Sequence, residues 1–360
     1  MLAAVTCCFV LVFSGFAIAG ETRGITEDTV KIGINAPLSR VLAHAGKASV
    51  DALQAYFKYV NEQGGVHGRK IELVVADHQY EPSRALAEFK KLVTRDEVMA
   101  LIGWGTPPTT ILIEPAMEEE VPLLGISGGT PLFNPPKEYV LALITPYRLQ
   151  AASVVTYIVE ELKDTDAKIG LFYNNDDFGR EGKAGVEMAA EHYGLKIAAE
   201  APHITGSPVD KAAVTKFKSE GVDYVLVGAH SGDVSSLLME MKSQGLSCDV
   251  YGVLAPASDR KIVEQAKDAA KNYYSVDAQG RWSDTESAGI KKMIELSKKY
   301  APSDVLEAKS YYYILGWYPA LLIVEALDRA GKDLTVEKFL EALNTFDKWD
   351  TGGVVPPITI

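Results

Sequence analysis

The feature that most limits the fold is a rhythm: short apolar, β-branched runs alternate with amphipathic helical segments almost from end to end. Strands are expected at residues 31–36, 71–76, 98–103, 122–127, 168–173, 196–201, 223–228, 250–254 and 273–276. A run such as Tyr224-Val225-Leu226-Val227 is apolar on both faces, so its sheet must be covered by helices on both sides. Between the runs, residues 49–63 set Val50, Leu53, Tyr56, Phe57 and Val60 on one helical stripe that stops at Gly64-Gly65. Further helices are expected at 83–94, 149–163, 181–192, 209–219, 233–244, 284–299 and 309–330. The class is α/β with doubly wound parallel sheets.

The rhythm runs twice. One set ends near Thr145, a second begins near Lys168, and the helix after Pro146 opens a second lobe. Residues 2–18 are uncharged and apolar, and Ala17-Ile18-Ala19 before Gly20 has the small-x-small form of a signal-peptidase site, so 1–19 reads as a signal peptide. The roughly 340 residues that follow exceed one compact core and imply two domains. No low-complexity linker separates them, so a few crossing strands and a hinge should join them. In sheets of this kind ligands sit beyond the carboxyl ends of strands, which directs attention to loops 37–46, 104–110, 127–136, 174–182, 229–233 and 255–259.

Composition narrows the function by exclusion. The net charge of -12 is interleaved along the chain without a basic tract, which argues against nucleic acid and anionic membrane surfaces. Only Cys248 remains after signal cleavage, so neither a disulfide framework nor a cysteine metal site is expected. Gly125-Ile126-Ser127-Gly128-Gly129 satisfies Gly-x-Ser-x-Gly, but Pro131, Pro135 and Pro136 forbid the helix a nucleophile elbow requires. His230-Ser231-Gly232-Asp233 has triad residue types, yet adjacent residues cannot form the relay, and Asp233 is expected to cap the helix it opens. Asn174-Asn175-Asp176-Asp177 lacks calcium-loop spacing and reads as a helix cap. Gly103-Trp104-Gly105 lacks the third glycine of a dinucleotide fingerprint. No catalytic, metal or cofactor site is expected.

Several stretches carry a family resemblance: Val30-Lys31-Ile32-Gly33, Ala36-Pro37-Leu38-Ser39, Val121-Pro122-Leu123-Leu124, Glu325-Ala326-Leu327-Asp328-Arg329-Ala330-Gly331, and most specifically Asn61-Glu62-Gln63-Gly64-Gly65-Val66-His67-Gly68-Arg69-Lys70. The chain resembles the type I periplasmic binding proteins of the leucine/isoleucine/valine-binding group, which serve ABC importers. The resemblance implies two Rossmann-like lobes joined by crossover hinge strands, hinge closure on a small ligand, a periplasmic or extracytoplasmic location, a monomer, and an inner-membrane permease as partner. It divides the chain into lobe 1, at 20–145 plus 277–350, and lobe 2, at 146–276 plus 351–360. Members run some tens of residues past the Pro356-Pro357-Ile358 stretch, so the resemblance also implies a chain cut short.

Residue by residue, the resemblance places a ligand carboxylate at the loops after the third and fourth strands. Thr130 matches the family's hydroxyl there, with Ser127 and Gly128 beside it; Thr106 or Thr109 must serve in the third-strand loop, because Pro107 offers neither hydroxyl nor N–H. From the second lobe it implies Phe178, and His230 where members carry tyrosine. The acid that pairs with an α-ammonium falls at about Leu254, which cannot neutralise charge, and this argues against a free amino acid.

Two further residues enter from their own chemistry. Arg40 in the first cleft loop is suited to clamp a carboxylate, unless it is a solvated loop residue; Trp104 with Phe178 would sandwich a flat body, unless Trp104 is core. His230 reads equally as a cleft or a solvated loop histidine, and Asp233 or Asp176 remain able to meet an amine. Tyr311-Tyr312-Tyr313 and Trp317 read as core, with Tyr311 nearest the hinge. The expected ligand is an aromatic or aliphatic acid. A branched-chain amino acid, and a sensory module of the same fold, are the alternatives.

Overall fold

The computed structural model describes residues 23–302, 304 and 309–360. The expected signal peptide lies outside the described residues.

Two five-stranded parallel sheets form the frame. In the first, β1 (Thr29–Ala36), β2 (Lys70–Asp77), β3 (Ala100–Trp104), β4 (Leu123–Ile126) and β5 (Val140–Ala142) run in the order β2-β1-β3-β4-β5. In the second, β6 (Lys168–Asn174), β7 (Lys196–His203), β8 (Tyr224–Gly228), β9 (Asp249–Gly252) and β10 (Tyr273–Ser275) run β10-β9-β8-β6-β7. The central strands β3, β4 and β8 are almost wholly buried, as their unbroken apolar runs require. Each sheet carries its own crossover helices. These are α1 (Ala43–Glu62), α2 (Pro82–Thr94), α3 (Thr106–Thr110) and α4 (Ile113–Glu118) in the first lobe. In the second they are α5 (Tyr147–Glu160), α6 (Asp177–Tyr193), α7 (Lys211–Glu220), α8 (Ser231–Ser243) and α9 (Lys261–Ala266). The chain then returns to the first lobe with α10 (Ala288–Tyr300), α11 (Tyr311–Ala330) and α12 (Val336–Leu343).

The deviations from the sequence reading are local. Strand β5 and the short helices α3, α4, α9 and α12 were not expected. In α3 the pair Pro107-Pro108 sits in the first turn, where a missing N–H costs nothing, so a stretch that reads as a helix breaker starts one. Helix α1 begins six residues before the expected start. Its first turns are small residues, and Ala45, fully buried, packs flat without showing an apolar stripe. Residues 351–360, expected in lobe 2, instead bond along the first lobe: Trp349 and Ile358 exchange backbone hydrogen bonds at 2.8 and 3.0 Å, and Ile360 N donates to Phe346 O at 3.1 Å.

Helices α1 and α11 cross where α11 has Gly316. A Cβ built there would stand 2.2 Å from the Ser49 carbonyl oxygen, so only glycine permits this approach. At the same crossing Ser49 Oγ donates to Tyr312 O at 2.8 Å and accepts from Trp104 Nε1 at 3.0 Å.

Candidate functional site

The carboxyl ends of both sheets face each other. Side chains beyond β2, β3, β6 and β8, joined by α5 and α11, close almost completely on one another and leave a void of about 10 Å3 ringed by Tyr80, Trp104, Tyr147, Phe178, His230 and Tyr312. Their rings meet in a chain: Trp104 lies 6.4 Å edge-on from Tyr80, Tyr80 5.4 Å edge-on from His230, and His230 stacks on Phe178 at 4.3 Å and 12°. Tyr147 closes on Phe178 at 5.2 Å, and Tyr312 lies 5.8 Å from Trp104.

Each wall is fixed by backbone-level ties. Tyr80 has φ 63°, an uncommon backbone for a tyrosine, and its N–H donates to His78 Nδ1 at 2.9 Å. The other ring nitrogen of His78, Nε2, donates to Trp104 O at 3.0 Å, so one neutral imidazole positions two walls. Gly105, at φ 83°, lets the ring of Tyr80 lie against the chain after Trp104; a Cβ there would be 2.7 Å from Tyr80 Cε2. Across the cleft, Asn174 at the end of β6 accepts from His230 N at 2.9 Å and donates to Asp233 at 2.8 Å.

Burial sets the ionisation of this region. It holds His78 down at about 4, against the opposing pull of the Trp104 carbonyl and Asp77, and holds His44 down at about 4. It lowers His230 in spite of Asp176 and Asp233, and pushes Tyr147 up to about 12. Burial also works against the charge of Asp233, but hydrogen bonds from His203, Asn174 and Gly206 outweigh it and keep that carboxyl below the usual range. Because His78 binds a proton less readily folded than unfolded, the stability it contributes is complete above about pH 6.5 and drains away as pH falls toward 4. The expected loss is up to about 3 kcal/mol. Thermal midpoints measured from pH 7.5 to 4.5 should fall through that window, and a His78→Gln protein should show a clearly shallower fall. An identical slope in the two proteins would count against this assignment.

Trp104, Thr106, Phe178 and His230, named from sequence, line the void. The others do not, and the reasons are physical. Arg40 is largely exposed and paired with Glu81, which also holds Arg84. Thr130 donates to Glu181 Oε2 at 2.7 Å, and Glu181 also receives Arg148 at 2.9 Å. Ser127 donates to Thr106 at 3.0 Å and accepts from Gly129 N at 3.2 Å, while the Gly128 carbonyl accepts from Tyr147 N. Leu254 is fully buried against Gly182 of α6; Pro256 from that loop reaches the void instead. The expected Trp104–Phe178 sandwich is absent: Tyr80 and Tyr312 meet Trp104, and His230 covers a face of Phe178. Asp233 is not the cap of α8, which starts at Ser231 with its carboxylate turned to Asn174 and Gly206; Asp176 does cap α6, accepting from Gly179 N at 3.1 Å.

Tyr80, Tyr147 and Tyr312 were missed. Tyr80 had a usable signal, since it follows the carboxyl end of a strand; Tyr312 sits in an apolar helix and reads as core.

Among the described residues, side chains tie the lobes together across the cleft. Tyr80 OH lies 3.2 Å from His230 Nε2, Thr130 meets Glu181, and Asp259 of the second lobe accepts from Ser310 Oγ at 2.7 Å and from Tyr311 N at 3.2 Å. This is a closed arrangement with aromatic walls and few open polar positions, suited to enclosing a small molecule. Among the described residues no helix is long and apolar enough to cross a membrane, and no cluster of metal-ligating side chains occurs.

Comparisons with known proteins agree with this geometry. Residues 29–360 match the family described as "Periplasmic binding protein". A leucine-, isoleucine-, valine-, threonine- and alanine-binding protein of Pseudomonas aeruginosa is 24% identical over 93% of this chain and 88% of its own length. The Leu/Ile/Val-binding protein of Escherichia coli K12 is 24% identical over 96% and 91%. Among solved structures, a fatty acid ABC transporter substrate-binding protein from Thermomonospora curvata superposes with a TM-score of 0.83 at 28% identity, covering 93% of this chain and 85% of that one. A branched-chain amino acid ABC transporter protein from Thermus thermophilus with bound valine shares the fold, with a TM-score of 0.83 at 24% identity over 91% and 87%. With the match spanning both sheets and the cleft between them, the chain belongs to the periplasmic binding protein family.

Proposed function

We propose that this periplasmic binding protein captures an amine-free carboxylic acid, aromatic or aliphatic, by closing its lobes, and presents it to an ABC permease without covalent chemistry. The observation that carries the reading is that, among the described residues, no acid lines the void. Asp176, Asp233, Asp259 and Glu181 each hold protein donors, and the loop after β9 offers Pro256. An α-ammonium enclosed there would be desolvated without a counter-charge, which costs more than the apolar contacts return. The aromatic walls have closed to a void of about 10 Å3, so the lobes must part to admit a ligand the size of benzoate or hexanoate, and the walls that then cover it are apolar rings. The solved relative named for fatty acids supports an acid ligand; the relatives named for branched-chain amino acids support the competing reading.

A thermal-shift series on the mature protein separates them, using benzoate, phenylacetate, hexanoate and octanoate against leucine, isoleucine and valine. An acid held at a hundred times its Kd should stabilise by about 2.7 kcal/mol. Stabilisation by leucine or valine, with none by the four acids, would overturn the proposal.

A further inference from the structure

Hydrogen-bonding groups near the void fall into two sets. Although Thr109 Oγ1, off the void and against Gly103, is buried without a partner, those of Thr106, Ser127 and Thr130 in the loops after β3 and β4 are satisfied inside the protein. Those where α11 meets α1 and the start of α8 are not. Tyr312 OH, Ser231 Oγ, His230 Nδ1 and His44 Nε2 are buried without a hydrogen-bond partner among the described residues; Tyr312, Ser231 and His230 are 1%, 0% and 4% exposed. They belong together: the rings of His44 and Tyr312 meet edge-on at 5.7 Å, and the Ser231 hydroxyl approaches that of Tyr312 without meeting hydrogen-bond geometry, so the pair can interact weakly but does not satisfy either group. Buried polar atoms without partners are rare and weaken a fold. Four such atoms gathered from α1, α8 and α11 complement the acceptor end of a ligand. Helix α8, thirteen residues long, begins at Ser231, so the positive end of its dipole and its first free N–H groups lie at the same place.

We infer that the ligand's carboxylate is read by Tyr312, Ser231 and the amino end of α8, with His44 and His230 flanking it, and not by the loops after β3 and β4. The apolar body then lies among Tyr80, Trp104, Tyr147 and Phe178. Asp176, Asp233 and Asp259 stand nearby, but each is engaged: Asp176 by Gly179 N, Asp233 by Asn174 and Gly206 N, Asp259 by Ser310 and Tyr311 N. Lys261 acts on His44 with the opposite sign. The inference rests on the acid-binding reading above.

Benzoate and hexanoate titrated into the mature protein, followed by tryptophan fluorescence, test both. Ser231→Ala and Tyr312→Phe should each weaken the acid that binds by about tenfold or more, since each removes a donor to a charged group. The same changes should leave the unliganded thermal midpoint unchanged or raised, because each deletes an unsatisfied buried hydroxyl. Ser127→Ala should stay within about threefold of the parent affinity. If Ser231→Ala and Tyr312→Phe bind normally while Ser127→Ala loses about tenfold, the carboxylate lies at the first-lobe loops; the inference fails and the acid-binding reading stands. A lowered unliganded midpoint in Ser231→Ala and Tyr312→Phe would make these hydroxyls structural and overturn it too. If neither acid binds the parent protein, the acid-binding reading falls and takes the inference with it.

Discussion

Asp259→Ala is expected to weaken ligand binding roughly 30- to 150-fold, corresponding to about 2–3 kcal/mol. Asp259, 3% exposed, stands between β9 and α9 in the second lobe, and its carboxylate accepts from Ser310 Oγ and from the N–H of Tyr311 at the start of α11 in the first lobe. It therefore caps a helix of the opposite lobe, where a negative charge also meets the positive end of the dipole. These contacts exist only when the lobes are together, so they favour the closed form selectively, and ligand affinity depends on how cheaply that form is reached. Removing the carboxylate leaves the donors of Ser310 and Tyr311 unpaired inside the interface. Calorimetric Kd values and the radius of gyration by small-angle scattering read the result. Parent-like affinity in Asp259→Ala, with an unchanged radius in the presence of ligand, would show that this tie does not govern closure.

Gly316→Val should be strongly destabilising, at about 1–3 kcal/mol or more. Its Cβ would fall 2.2 Å from a backbone oxygen of α1, and backbone cannot step aside as a side-chain end can. The two helices must separate, and with them Ser49, which holds Trp104 Nε1 and the Tyr312 carbonyl. Loss of ligand binding should therefore accompany the fall in thermal midpoint, although Gly316 does not line the void. A midpoint within 1–2 °C of the parent, on the scale of roughly 2–4 °C per kcal/mol for domains of this size, would contradict the packing argument.

The architecture was legible because its signals are local. Unbroken apolar runs such as Tyr224–Gly228 require a sheet covered on both faces, and Gly64 after the stripe of α1 ends that helix whatever the surroundings. Strand ends then located the cleft loops, which is why Trp104, Phe178 and His230, picked out on that ground, line the void. Side-chain commitments were not legible, because they join residues far apart in sequence. Thr130 looked like a free hydroxyl until Glu181, fifty-one positions on, accepted from it, and Arg40 looked like a clamp until Glu81 paired with it. Tyr312 shows the converse: an aromatic residue in an apolar helix reads as core, and only the crossing of α11 over α1, opposite the start of α8, turns it toward the void. The sequence by itself determined two parallel sheets and which loops their carboxyl ends carry; the tertiary structure decided which polar groups are spent on the protein and which are left without a partner, because that depends on how two separately folded lobes meet.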